Sequence, residues 1–438
     1  MVLSWTRRNV FRRATKGKKQ VPGGDNNLEA EEVVIPNHFK CPVSLELMND
    51  PVTLSTGITY DRESIEKWIV SGNKTCPVTN QVLTNFDMIP NHAIRKMIQD
   101  WCVENSSYGI QRIPTPRIPL SSNQVKDTCN RLTVASQHVN ETRCQVLVGK
   151  IKVWGRESER NKRCMVENGV GVVLANAFDS FSSVSFEKHV VVLEEILEVL
   201  TWVVPLSEEG KLKLGSLASL NCMARFLHGN DLGARQNAAL LLREVSVDAL
   251  EKSEGDVIEA LVKLVKEPIG TIATKACLVT IFQLVSLAKN KEAIAQRFVE
   301  LDLVSLLIET IVDAERGVCE KALGVLDCLC DCKEGKEIAK GNALTLPLVI
   351  KKILRVSHLA SNFAVSILWK ICDKKEEGVL IEVLQVGAFQ KLLVMLQVGC
   401  DDNTREKATE LLKLLNGFRS RVECVDSSMD FKYLKKPF

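Results

Sequence analysis

A chain of 438 residues has room for one small domain and one large one. Its 45% hydrophobic and 25% charged residues are ordinary for a globular protein, and a net charge of +3 is too near neutral to argue for nucleic acid as the partner of the whole chain. The 15 cysteines are odd in number and scattered, and no apolar signal or membrane-length run is present. Free thiols in a reducing compartment are therefore expected, not a disulfide framework.

Residues 1–30 read as a basic tail. Arg7, Arg8, Arg12, Arg13, Lys16, Lys18 and Lys19 stand there without an acid before residue 20, interleaved with Trp5 and Phe11. A solvated tail fits that pattern. So does weak contact with an acidic membrane, which residues 1–20 would make, with nucleic acid or with an import receptor.

Residues 33–107 form a dense segment of mixed period. Val52, Leu54, Ile58 and Tyr60 alternate with polar residues, as in two short strands, and Gly57 supplies the positive φ of a tight turn between them. Asp61 is placed to cap a helix carrying Ile65, Trp68 and Ile69. Asn91 is placed to cap a second, whose apolar stripe is Ile94, Met97, Ile98 and Trp101. Two loops open with matching phrases, Cys41-Pro42-Val43-Ser44 and Cys76-Pro77-Val78-Thr79. Two loops around a hairpin and a helix outline a RING domain. However, a two-zinc site needs about eight Cys or His ligands, and the segment has Cys41, Cys76, Cys102, His38 and His92 with no C-x-x-C pair. The loops are thus expected to be pinned by hydrogen bonds and buried apolar groups, with no metal and no cofactor. Cys41 and Cys76 read as structural.

Residues 108–124 contain Pro114, Pro116 and Pro119 and read as a stiff linker. From 125 to 420 the pattern is helical and recurs. Ala238, Ala276, Ala322, Ala364 and Ala408 begin similar phrases 38–46 residues apart, the period of armadillo or HEAT units. Three positions after each stands Leu241, Val279, Val325, Ile367 or Leu411, expected in the core. There is room for roughly seven such units. Cys328 and Cys332, four apart, are expected on one side of a helix as buried apolar groups, not as a metal site. Residues 421–438 lack periodicity and read as a second tail.

The run CPVSLELMNDPVTLSTGITYDRESIEKW, followed by CPVT and IPN, resembles the U-box family of ubiquitin ligases. The layout resembles the plant armadillo-repeat group, particularly its pathogen-response, CMPG-like members. The fold expected is mostly α: a small α+β, zinc-free, RING-like U-box followed by a right-handed armadillo solenoid. The resemblance implies a ligase without a covalent intermediate, whose partners are a ubiquitin-conjugating enzyme, ubiquitin and a protein substrate held by the repeats, in defence or stress signalling. The residues alone leave Val43 and Pro77 equally open to core or surface. The resemblance makes Val43, Trp68 and Pro77, with Leu45 on the rim, the docking patch for the conjugating enzyme. Asn80 stands where relatives often carry Arg or Lys that holds the conjugate closed, and Gly57, Tyr60, Asp61, Cys41 and Cys76 become the structural set. Self-association through the U-box is a further expectation, as is a cytoplasmic location, with nuclear or membrane-peripheral alternatives. An armadillo adaptor of the import-receptor kind is the rival reading. It would carry repeated W-x-x-x-N pairs, whereas Trp154, Trp202 and Trp369 are followed four on by Ser158, Leu206 and Asp373.

Overall fold

The computed structural model describes residues 34–114, 120–253, 256–373 and 376–419. It divides into two compact units, Met1–Ile118 and Pro119–Phe438. The two expected tails, 1–30 and 421–438, lie outside the described residues.

In the first unit, β1 (Pro51–Thr53) and β2 (Thr59–Asp61) form the hairpin, with Val52 opposite Tyr60. Gly57 makes the turn at φ +79°, and its amide donates to the Leu54 carbonyl at 2.9 Å. Helix α1 (Arg62–Val70) follows directly. A third strand, β3 (Ile89–Pro90), pairs antiparallel with β1 on its other side and leads into α2 (His92–Glu104). Asn91 caps α2, accepting from the Ile94 amide at 3.0 Å, and its Nδ2 donates to the hydroxyls of Thr53 and Thr59. One side chain thus joins helix to hairpin. The core gathers Phe39, Met48, Val52, Tyr60, Ile65 and Ile98.

Two expectations fail here. Met97 is 50% exposed, while Arg95 is buried and donates to the Asn49 carbonyl at 2.6 Å. The inward face of α2 is therefore Ile94, Arg95, Ile98, Trp101 and Cys102. Asp61 immediately precedes α1 but makes no capping bond. Its Oδ1 accepts from the amides of Asn49 and Asp50 at 2.8 and 2.9 Å. Of the stretch read as a linker, Ile113 is buried in this unit's core, Ile110 packs against it, and Arg95 also donates to the Pro114 carbonyl.

The second unit opens with α3 (Ser122–Gln137), α4 (Glu141–Glu157), α5 (Glu159–Glu167), α6 (Val170–Val184) and α7 (Phe186–Leu200). Thereafter the described residues fall into threes. They are α8 (Glu208–Leu214), α9 (Leu217–His228) and α10 (Leu232–Leu242); then α11 (Val247–Glu251), α12 (Asp256–Lys266) and α13 (Thr271–Leu287). Next come α14 (Lys291–Glu300), α15 (Leu303–Asp313) and α16 (Arg316–Leu329); α17 (Lys333–Gly341), α18 (Thr345–Lys352) and α19 (His358–Ile371); and α20 (Glu377–Gln385), α21 (Ala388–Val398) and α22 (Asp402–Asn416). The last helix of each three carries the recurrent alanine, and α10, α13, α16, α19 and α22 stack in series. All five alanines are buried, because a larger side chain would hold neighbouring helices apart. Side-chain partners repeat the same period. Arg297 reaches Glu259, Lys370 reaches Asp327, and Trp369 Nε1 donates to Glu410 at 2.6 Å, each bridging about one repeat length.

The positions three after the alanines are buried at Leu241, Val325, Ile367 and Leu411, but Val279 is only half-buried. In α13 the core positions fall on Cys277, Leu278 and Ile281 instead. Cys328 and Cys332 do not share a helix, because α16 ends at Leu329 and Cys332 stands at the start of α17.

Candidate functional site

The two matching phrases fold into two matching loops. In each, the cysteine amide donates five residues ahead, Cys41 to the Glu46 carbonyl at 2.8 Å and Cys76 to that of Gln81 at 2.9 Å. The fifth residue donates back to the cysteine carbonyl, Leu45 at 2.8 Å and Asn80 at 2.9 Å. Isolated bridges, Lys40 with Leu47 and Thr75 with Val82, close both. The hydroxyls of Ser44 and Thr79 accept from the amides two residues on, as in a serine/threonine turn. That geometry puts the fifth residue in the left-handed region, φ +61° at Leu45 and +56° at Asn80. Asparagine tolerates this conformation; for leucine it is uncommon and costs about 1 kcal/mol or more.

Hydrogen bonds root both loops on the core. Asp61 holds the first, aided by Arg62 Nε on Asp50 Oδ2 at 2.6 Å. The second hangs on Trp68, whose Nε1 donates to the Thr75 carbonyl at 2.8 Å, and on the buried Cys76. Cys76 Sγ lies 3.3 Å from the Thr56 hydroxyl and 3.0 Å from that of Tyr60. Burial pushes this thiol up, but donors from Thr56, Thr79 and Tyr60 together outweigh it and bring the pKa down to about 6. Tyr60, beneath both loops, is raised well above its ordinary value, first by burial and then by its bond to Cys76, with a smaller contribution from Cys41. Among the described residues no group of three or more His, Cys, Asp or Glu is placed to hold a metal. A buried sulfur acceptor and backbone-directed bonds hold these loops.

The loops present apolar side chains outward. Val43 is 38% exposed, Leu45 73% and Val78 52%. Pro77 and Trp68 are half-buried, so Trp68 serves both the surface and the loop it pins. Val78 was not among the expected docking residues, although the repeated Cys-Pro-Val phrase marks it as the counterpart of Val43. Asn80 is exposed, and its side-chain amide forms no hydrogen bond among the described residues.

The chain matches the U-box domain over residues 35–107 and the plant U-box protein ARM repeat region over residues 124–435. It belongs to the plant U-box proteins. U-box domain-containing protein 21 of Arabidopsis thaliana is 49% identical over 413 residues, covering 93% of this chain and 94% of its own length. U-box domain-containing protein 20 of the same plant is 43% identical, covering 96% of each. The Arabidopsis E3 ubiquitin-protein ligase PUB23 is 36% identical, covering 92% of this chain and 98% of its own length. As a plant U-box protein the chain is a RING-type ubiquitin transferase, and its second unit is an armadillo-repeat solenoid.

Proposed function

We propose that the paired loops dock a ubiquitin-charged conjugating enzyme through Val43, Leu45, Trp68 and Pro77, joined by Val78, while the repeats hold the substrate. The ligase supplies position. The lysine amine of the substrate attacks the thioester carbonyl on the conjugating enzyme, and the enzyme's thiol leaves. Holding the two together replaces a bimolecular encounter and is worth several kcal/mol when the geometry is right. A role in plant defence or stress, in the cytoplasm, is the biological setting that the family resemblance favours.

The observation that carries this reading is Leu45. A large apolar side chain stands 73% exposed, on backbone that disfavours it. Such strain is kept where a site needs it. Replacing Leu45 by Asn suits the backbone, so Leu45→Asn is expected to raise thermal stability slightly. It is also expected to slow single-turnover ubiquitin discharge tenfold or more, the loss typical of an interface anchor. Unchanged discharge by this stable variant would remove Leu45 from the docking surface.

A further inference from the structure

The second unit holds a cavity of about 360 Å³, bounded by the first residue of α16, the turn between α18 and α19, and the last turn of α21. Its polar wall is Arg316, Arg355, His358 and Ser357, and its apolar wall includes Met395 and Val398.

The two guanidinium groups of this wall are unpaired. Neither Arg316 nor Arg355 has a side-chain ion pair or hydrogen bond among the described residues, whereas the neighbouring acids are engaged. Glu320 accepts from the Ser357 hydroxyl at 2.6 Å and from Lys321 at 2.9 Å. Glu315 pairs with Lys275, and Asp401 is taken by Thr404 and Asn362. At the end of α21 the Gly399 amide donates to the Met395 carbonyl at 3.0 Å, and Asp401 follows close to His358. On α21, Lys391 is held below its ordinary range, first by burial and then by the charges of Arg355 and Lys351. Arg316 also stands first in α16, where the helix dipole disfavours a cation. The turn is strained as well. Leu354 adopts φ +60°, its amide donating to the Ser361 hydroxyl at 3.0 Å. Two unpaired guanidinium groups around a hollow, one of them next to the strained Leu354, are a local inconsistency of the kind that marks a binding site.

We infer that this cavity is a recognition pocket of the armadillo domain for a phosphorylated serine or threonine of a bound protein segment. A phosphoryl group near neutral pH carries close to two negative charges, matching two free guanidinium groups that can each bond its oxygens in pairs. His358 lines the same wall, and Met395 and Val398 receive the neighbouring apolar part of the segment. Recognition of phosphorylated motifs by arginine clusters is a general mode. The inference rests on the reading that the repeats hold the substrate and names that substrate's chemical class.

The test uses the full chain and three immobilised degenerate peptide libraries, each with one fixed residue: phosphoserine, serine or glutamate. Retention on the phosphoserine library is expected to exceed that on the other two at least tenfold. It is expected to fall to the serine level in the Arg316→Gln/Arg355→Gln double variant. That variant is expected to melt with the parent and to keep its ubiquitin discharge to free lysine, so loss of binding is separated from loss of fold or of ligase function. Equal retention on all three libraries, on phosphoserine and glutamate alike, or by parent and double variant alike, would overturn the pocket.

Discussion

Position 45 and position 80 are the same position twice. Each closes a Cys-Pro-Val loop with left-handed backbone, and each projects its side chain into solvent. Leu45 shows that such a loop accepts a long side chain, which bears on Asn80. An arginine there would offer charge-assisted bonds, roughly twice as strong as those of a neutral amide, to the conjugating enzyme and the ubiquitin tail. Asn80→Arg gives up the tolerance of asparagine for this backbone, so about 1 kcal/mol of stability is expected to be lost. Discharge onto free lysine is nonetheless expected to speed up at saturating ligase, with affinity for the uncharged conjugating enzyme unchanged. A slower or equal single-turnover rate would show that position 80 does not control closure. Beside it, Cys76 makes the second loop sensitive to pH. An unfolded thiol titrates near about 8.5, and this one titrates at about 6. Its folded pKa is depressed, so its contribution to stability is complete above about 8.5 and is lost as pH falls through 6. Hydrogen exchange at the Asn80 and Gln81 amides of the full chain is expected to slow, relative to intrinsic rates, from pH 6 to 8.5. Cys76→Ser is expected to flatten that trend, and a parallel trend in the variant would assign it to another group.

At the scale of elements, the first unit uses its polar side chains across long separations. Asp61 sits where a helix cap belongs, yet it clamps the backbone of Asn49 and Asp50. The two roles separate by substitution. Serine is as good an N-cap as aspartate, but it is too short to reach both amides. Asp61→Ser is therefore expected to destabilise almost as much as Asp61→Ala, by about 2 kcal/mol or more for two lost bonds to a carboxylate. Full rescue by serine in a thermal melt would restore the capping reading. The same contrast explains what could be read from the chain. The hairpin, the helices, the Asn91 cap and the alanine ladder follow local rules of period and turn chemistry and were legible, whereas the short strand β3 lay in a stretch read as loop. The clamp by Asp61, the buried Arg95 with its partner at Asn49, and the left-handed Leu45 were not. Their causes lie 12 or 46 residues away, or in a conformation that leucine's own preferences argue against. For the site, the exposed Val43 and Leu45 came from a resemblance, and Val78 needed the symmetry of the two loops to be seen.

At the scale of the whole molecule, the chain is two bodies that hold themselves together differently. The solenoid is a one-dimensional stack in which each three-helix unit leans on the next, through buried alanines and partners spaced by one repeat. The first unit is small, and little of its stability is spare. Where it ends is therefore an energetic question. The motif stops near the end of α2, but the packing does not. The backbone at Ile113 hydrogen-bonds Cys102, its side chain is 5% exposed, and the Pro114 carbonyl takes a bond from the buried Arg95. Cutting the chain before Ile113 exposes apolar surface worth roughly 2 kcal/mol and, with Pro114 gone, leaves Arg95 one acceptor short. In a domain of this size that corresponds to a fall of roughly 10 °C in melting temperature. A fragment of residues 34–105 is expected to melt at least that far below one of residues 34–114, and Ile113→Ala in the full chain is expected to lower the same transition. Both fragments keep Val43, Leu45, Trp68 and Pro77. Below the melting point of the shorter one they are expected to discharge a conjugating enzyme at similar rates, because the added residues act on stability and not on docking. Equal melting of the two fragments would place the edge of the domain at the end of α2.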